Sequence, residues 1–240
     1  MSDIPANTTA RVHGVGVGPG DPELLTLKAV RVIRAAQVLA WPVVEGEDSL
    51  ARRIAAPHLH GGHREIAIPL PLRRDGAGVD RAYGRAADEI DGHLRAGRGV
   101  AVLCLGDPLF YGSFARLGEK LAARWPVEIV PGVCAPLAAG AATGLGTILG
   151  SGSYMVLPGT LADDALEARL RLADAAAIIK VGRHADRIRR LLERLDLADR
   201  AVHVRNATLP DQHIRPLAAL PPGPVDYFSL ILIPGRRDAF

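Results

Sequence analysis

At 240 residues the chain is long enough for one large domain or two small ones, and either can bury a sizeable core. A hydrophobic fraction of 48% with 23% charged residues excludes a disordered or low-complexity chain, and no apolar run approaches the roughly 20 residues that cross a bilayer. The net charge of +3 admits an anionic partner. Its arginines (Arg31, Arg34, Arg52, Arg53, Arg187, Arg189, Arg190, Arg194) are scattered over several predicted helices with no interleaved aromatics. That pattern argues against nucleic acid and suits a small polycarboxylate.

Met1 to Ala10 has no basic region followed by an apolar stretch, so no secretory leader is expected. Cys104 and Cys134 both lie in apolar surroundings and are expected as buried thiols of a cytoplasmic protein rather than as a disulfide. Short apolar runs then alternate with helical periodicity. Strands are predicted at Val12 to Val17, Val38 to Val43, Glu65 to Leu70, Val100 to Leu105 and Val127 to Val130. The first helix is predicted over Pro22 to Ala36, with Asp21 as N-cap and Leu24, Leu27, Val30 and Ile33 as one buried stripe. Further helices are predicted at Asp80 to Ala96 and Ser113 to Ala123.

After Pro131-Gly132 the alternation restarts, with strands at Tyr154 to Leu157, Ala177 to Val181, Ala201 to Arg205 and Tyr227 to Ile233. Helices fall at Ala135 to Thr143, Ala162 to Ala173 and His184 to Leu195. The glycine-rich stretch Gly140 to Gly152 reads as a hinge or domain connection, and Pro210 to Pro224 as a loop. The fold class implied is α/β: two α/β domains with mostly parallel sheets and a cofactor cleft between them, residues 1–134 and residues 135–240.

Three strand-to-helix turns carry the chemical signal. Gly14-Val15-Gly16-Val17-Gly18-Pro19-Gly20-Asp21-Pro22 is out of register for the dinucleotide pattern, since its sixth position is Pro19 or Asp21, and no Lys-Ser/Thr pair follows for a phosphate loop. Leu105-Gly106-Asp107-Pro108-Leu109-Phe110-Tyr111-Gly112 and Pro131-Gly132-Val133-Cys134 follow two further strands. Ligands of open α/β sheets bind beyond the carboxyl ends of strands, so the turns point to one site. An acidic side chain among exposed amides suits a zwitterionic, cationic or ribose-bearing ligand better than a phosphate.

Taken together, these motifs resemble the corrin/porphyrin (class III) methyltransferases, over residues 12–235. The opening Gly-Val-Gly-Pro-Gly-Asp-Pro with Leu24-Leu25-Thr26-Leu27-Lys28-Ala29, then Leu105-Gly106-Asp107-Pro108 and Pro131-Gly132-Val133, occur in the family's order. Gly106 to Tyr111, Ile179-Lys180-Val181-Gly182-Arg183, Asn206-Ala207-Thr208 with Asp211-Gln212, and Tyr227-Phe228-Ser229-Leu230 resemble one branch, the precorrin-2 C-20 methyltransferases. The resemblance implies S-adenosyl-L-methionine as methyl donor, a reduced tetrapyrrole as substrate and a homodimer; no metal, membrane or nucleic-acid partner is expected. It implies cofactor contacts at Pro19, Leu105, Gly106, Asp107, Phe110, Cys134, Ala135, Val181 and Ala207. The family often has a hydroxyl residue where this chain has Cys134, and a thiol is a poorer hydrogen-bond partner. Whether the substrate is metal-free or carries cobalt stays open. So do another corrin or uroporphyrinogen methylation and, more distantly, diphthamide-type methylation of a protein.

Arg73, Lys180, Arg183, His184 and Arg205 are candidates for pairing with substrate acetates and propionates, against the alternative of ordinary surface charge. His58, His60 and His63 form a dense trio, but only Glu65 stands near to complete a metal site, so a solvated loop is expected. No Ser-His-Asp, Cys-His or paired-carboxylate arrangement is present, and the catalytic residues stay unassigned. Outside methyl transfer, a nucleotide-binding oxidoreductase or a ligand-binding module remain as alternatives. The misregistered glycines speak against the first, and binding without turnover would mark the second.

Overall fold

The computed structural model describes residues 10–44, 46–71, 76–145 and 147–235. The chain divides into two compact units, Met1–Cys134 and Ala135–Phe240.

In the first unit, strands β1 (Val12–Gly16), β2 (Val38–Val44), β3 (Arg64–Leu70), β4 (Val100–Cys104) and β5 (Val127–Val130) form one sheet in the order β3-β2-β4-β1-β5. Every pairing in it is parallel. All five residues of β4 are buried, as expected where both faces of a parallel sheet are covered. Four helices connect the strands: α1 (Leu27–Ala35), α2 (Leu50–Ala55), α3 (Gly76–Arg95) and α4 (Phe114–Ala122). Tyr83, Ile90 and Leu94 of α3 and Phe114, Leu117 and Leu121 of α4 pack with Val12, Val102 and Ile68 into one core.

The predicted first helix is broken. Asp21 does accept from the Glu23 amide at 2.8 Å, but only a 3-10 turn, Pro22–Leu24, follows it. Leu25 and Thr26 are extended, and α1 restarts with Thr26 Oγ1 accepting from the Ala29 amide at 3.1 Å. That hydroxyl offers the backbone a cap in place of helical continuation. The restart shifts the helical phase, so Leu27 of the predicted stripe is 91% exposed while Leu25, Ala29 and Ile33 are buried.

In the second unit, α5 (Ala135–Thr143), α6 (Asp163–Leu172) and α7 (Ala185–Arg194) flank β6 (Tyr154–Pro158), β7 (Ala175–Ile179), β8 (Val202–Arg205), β9 (His213–Pro216) and β10 (Ser229–Ile233). The sheet order is β6-β7-β10-β8-β9. Here the expectation of a mostly parallel sheet needs correction. Only β6–β7 is parallel, and β7–β10, β10–β8 and β8–β9 are antiparallel. β6, β7 and β8 follow helices and run one way. β9 returns through a short turn, too short for a crossover, and so reverses. β10 then inserts between β7 and β8.

The Gly140 to Gly152 stretch is not the boundary between the units. Its first residues complete α5, and a Cβ on Gly140 would lie 2.6 Å from Thr147 Oγ1. Smallness there serves packing. One face of the second sheet packs Leu166, Leu170, Ile188, Leu191 and Leu192 of α6 and α7, and the other packs Ala139 of α5 with Val204, Leu230 and Leu232. Among the described residues no helix is long and apolar enough to cross a membrane.

Candidate functional site

The order β4-β1-β5 sets the carboxyl ends of three strands side by side, with Gly16 paired to Cys104 and Val15 to Val130. The three glycine-bearing turns, far apart in sequence, therefore meet. Gly18 and Gly106 form a two-way bridge: the Gly106 amide donates to the Gly18 carbonyl at 2.8 Å and the Gly18 amide to the Gly106 carbonyl at 3.3 Å. Gly16 and Gly132 are in close backbone contact. A Cβ on Gly132 would sit 2.2 Å from the Gly106 oxygen and 2.8 Å from Gly16 Cα. Gly14 makes room instead for Phe114, whose ring would be 2.5 Å from an added Cβ.

Asp107 locks this arrangement. Its Oδ1 accepts from the Leu109 and Phe110 amides at 2.9 and 3.1 Å, and its Oδ2 from the Gly132 amide at 3.1 Å. One carboxylate thus closes its own turn and ties it to the turn after β5. Pro19 and Gly106 are buried, whereas Leu105, Leu109, Phe110 and Tyr111 present exposed apolar surface around them. Tyr111 has φ +54°, and its ring meets that of Phe110 edge-on at 5.1 Å.

Both cysteines are free. Burial pushes the Cys104 thiol up to about 12. Cys134 is half-buried and is also raised, by burial and then by the nearby Asp107 carboxylate. Neither is a ready thiolate nucleophile.

The histidine trio is structural. His60 Nε2 and His63 Nδ1 lie 2.8 and 2.9 Å from the carbonyls of Arg34 and Ala36, where α1 ends, and His58 Nε2 lies 3.2 Å from the Pro22 carbonyl. Carbonyls only accept, so these nitrogens donate, filling acceptors that a helix end leaves open. Among the described residues no three His, Cys, Asp or Glu side chains are placed to hold a metal ion.

In the second unit, Ala135 and Ala207 belong to one apolar cluster with Ala139 and Val204. Val181 is fully buried in the opposite core with α7, and its carbonyl accepts from the His184 amide at 2.7 Å. Lys180 (φ +57°) follows β7 directly, and Asn206 (φ +50°) and Thr208 (φ +68°) follow β8. Left-handed non-glycine residues are strained and concentrate where loops hold ligands. Hydrogen bonds over-determine the strain here. The Asn206 amide donates to the Phe228 carbonyl at 2.9 Å, Asn206 Nδ2 to Asp211 at 2.7 Å, and the Thr208 amide to Gln212 Oε1 at 2.7 Å. The Val225 amide donates to the Gly182 carbonyl at 3.1 Å, and Asp186 accepts from Gly223.

Of the candidate substrate cations, Lys180 and Arg183 are exposed. His184 is held below the usual imidazole range, by burial first and then by Arg187 and Arg183. Arg205 is occupied by Asp226 at 3.0 Å. Arg73 lies outside the described residues. Sequence reasoning passed over Gly16 with Gly132 as a backbone contact, and it passed over His203 and Arg215. The alternation Val202-His203-Val204-Arg205 was the available signal for a polar sheet face.

Residues 11–221 match the sequence profile of the Tetrapyrrole (Corrin/Porphyrin) Methylases. A Precorrin-2 C(20)-methyltransferase from Sinorhizobium sp is 40% identical over 95% of this chain and 96% of its own length. A Cobalt-precorrin-2 C(20)-methyltransferase from Salmonella typhimurium is 29% identical over 93% of this chain and 95% of its own. Among solved structures, a Uroporphyrin-III C-methyl transferase from Thermus thermophilus, complexed with S-adenyl homocysteine, superposes with a TM-score of 0.65 at 26% identity, covering 93% of this chain and 96% of that one. With that match spanning most of its length, and with its three glycine turns gathered at neighbouring strand ends, the chain belongs to the tetrapyrrole methylase family.

Proposed function

We propose that the chain transfers the methyl group of S-adenosyl-L-methionine to C-20 of precorrin-2, giving precorrin-3A and adenosylhomocysteine in cobalamin biosynthesis. The observation that carries this reading is near-full-length identity of 40% to a protein of that name. The relative named for the cobalt substrate, at 29%, keeps cobalt-precorrin-2 as the second reading.

The residues present fit such a cofactor. Leu105, Phe110 and Cys134 offer apolar and backbone surface at the strand ends of the first unit, where the buried Pro19 and Gly106 shape the turns, and Ala135 and Ala207 are small groups of the second unit. Adenosylmethionine, when bound, supplies a methyl carbon already activated by the sulfonium charge. The protein's share is then to hold donor and acceptor in line and exclude water, and alignment of this kind is worth about 7–11 kcal/mol. Asp107 acts in this scheme by positioning, since its carboxylate accepts from three amides and so fixes the two turns that face the cofactor. A homodimer in the cytoplasm, as expected of the family, completes the proposal.

Labelled adenosylmethionine incubated anaerobically with precorrin-2 or its cobalt complex tests it. Label at C-20 is the expected result, and cofactor binding with transfer to neither substrate overturns the assignment. Asp107→Ala is expected to lower stability by about 2 kcal/mol in urea denaturation, since it strands three amides. Adenosylhomocysteine affinity should fall more than tenfold by calorimetry, and unchanged affinity would show that the Gly106–Gly112 turn does not hold the cofactor.

A further inference from the structure

Pleating sends Val202 and Val204 of β8 into the α5-side cluster, and so sends His203 and Arg205 to the other face. Directly paired residues share a face, so Ser229 of β10 and His213 of β9 flank Arg205, while Ile231 and Arg215 flank His203. Three adjacent strands therefore carry Ser229, Arg205, His213, His203 and Arg215 together.

Much of this polar face is unsatisfied. His203 is 3% exposed and neither ring nitrogen has a hydrogen-bond partner. Ser229 is 4% exposed with its Oγ equally unpartnered, and Arg205 Nε is buried without one. Arg215 rests its guanidinium on the His213 ring, 3.3 Å from Nδ1 and 3.2 Å from Nε2, rather than on an acid. Among the described residues Asp226, paired with Arg205, is the one carboxylate in an ion pair with this group. Buried donors without acceptors are rare and costly, and two guanidiniums against one carboxylate leave the face short of an anion.

We propose that this face of β8, β9 and β10 is a carboxylate site that takes an acetate or propionate side chain of the tetrapyrrole substrate. Arg215 moves off the His213 ring to grip the carboxylate, and Ser229 and the neutral His203 donate to it from below. An Arg fork matches a carboxylate in two parallel hydrogen bonds, which selects for position as well as charge. The inference rests on the methyltransferase reading above for its substrate.

The experiment compares wild type with Arg215→Gln, Arg215→Lys and, as a control, the exposed Arg190→Gln. With precorrin-2 varied, Arg215→Gln should raise KM about tenfold, with kcat and adenosylhomocysteine affinity within twofold of wild type. Arg215→Lys should fall between, and Arg190→Gln should match wild type. In parallel, 15N-histidine NMR follows titration with tricarballylate, a small tricarboxylate. The His203 and His213 ring signals should move saturably in wild type and stay still in Arg215→Gln. An unchanged KM in Arg215→Gln, or tricarballylate that leaves His203 unmoved, overturns the proposal. If wild type turns over no tetrapyrrole, the functional reading falls on its own, and the tricarballylate titration still decides whether the carboxylate site exists.

Discussion

Gly132→Ala should be among the most damaging single-methyl changes in this protein, costing about 3 kcal/mol or more in denaturant unfolding and abolishing adenosylhomocysteine binding. The added Cβ would fall 2.2 Å from the Gly106 oxygen and 2.8 Å from Gly16 Cα, and both obstacles are backbone. Neither can swing aside as a side-chain tip can. Relief would need β1, β4 and β5 to separate at the ends where their turns meet, breaking the Gly132–Asp107 hydrogen bond as they part. Gly16→Ala meets the same contact from the other side, with Gly132 backbone at 2.6 Å, and should behave alike. Gly84→Ala is the matching control. It lies within α3 with nothing within 4 Å of an added Cβ, and should be neutral or stabilising by up to about 1 kcal/mol through helix propensity. Wild-type stability and binding in Gly132→Ala would show that the strand ends do not touch.

The second large effect is expected on acidification. Burial holds the His203 imidazole down to about 4, with Arg215, His213 and Arg205 adding to the depression and Asp226 opposing it. Above pH 6.5 the ring is neutral in both folded and unfolded chains and contributes no pH dependence. As pH falls from 6.5 towards 4, the unfolded chain binds a proton that the native state refuses, so stability drops, and below 4 the loss levels off. At 1.36 kcal/mol per unit the loss amounts to about 3 kcal/mol from this one residue. Urea denaturation of wild type and His203→Gln across that window should show the variant losing less stability by about that amount. Parallel curves would show that His203 titrates freely. His13 is also held low by burial, so the variant is expected to keep some acid sensitivity.

Most of the elements were legible because buried strands and amphipathic helices carry their own period. β5 and α5 fall where the apolar runs place them, and most other ends differ by one or two residues. The misses have specific causes. α2 spans six residues, too few for a periodic signal, and its Ser49 cap gives it away only in retrospect. β9 hides in the proline-bearing segment read as a loop, because it is an edge strand of four residues with one neighbour. The break at Thr26 was a contest between a side-chain cap and helix continuation, which propensity alone does not decide.

By itself, then, the sequence determined the alternation of strands and helices, the three glycine turns and the family to which their order belongs, since each is a local or ordered pattern along the chain. Tertiary structure decided what those residues do. Asp107 reads in the sequence as a turn residue, and only the fold shows that Gly132, 25 residues away, donates to it. The three close histidines read as a solvated loop, yet they spend ring nitrogens on backbone carbonyls, two of them at the end of α1. His203, Arg215 and Ser229 are ordinary residues on three separate strands until antiparallel register lays them on one face. Strand order and register are fixed by long-range pairing, and that information lies between segments of the chain rather than within any one of them.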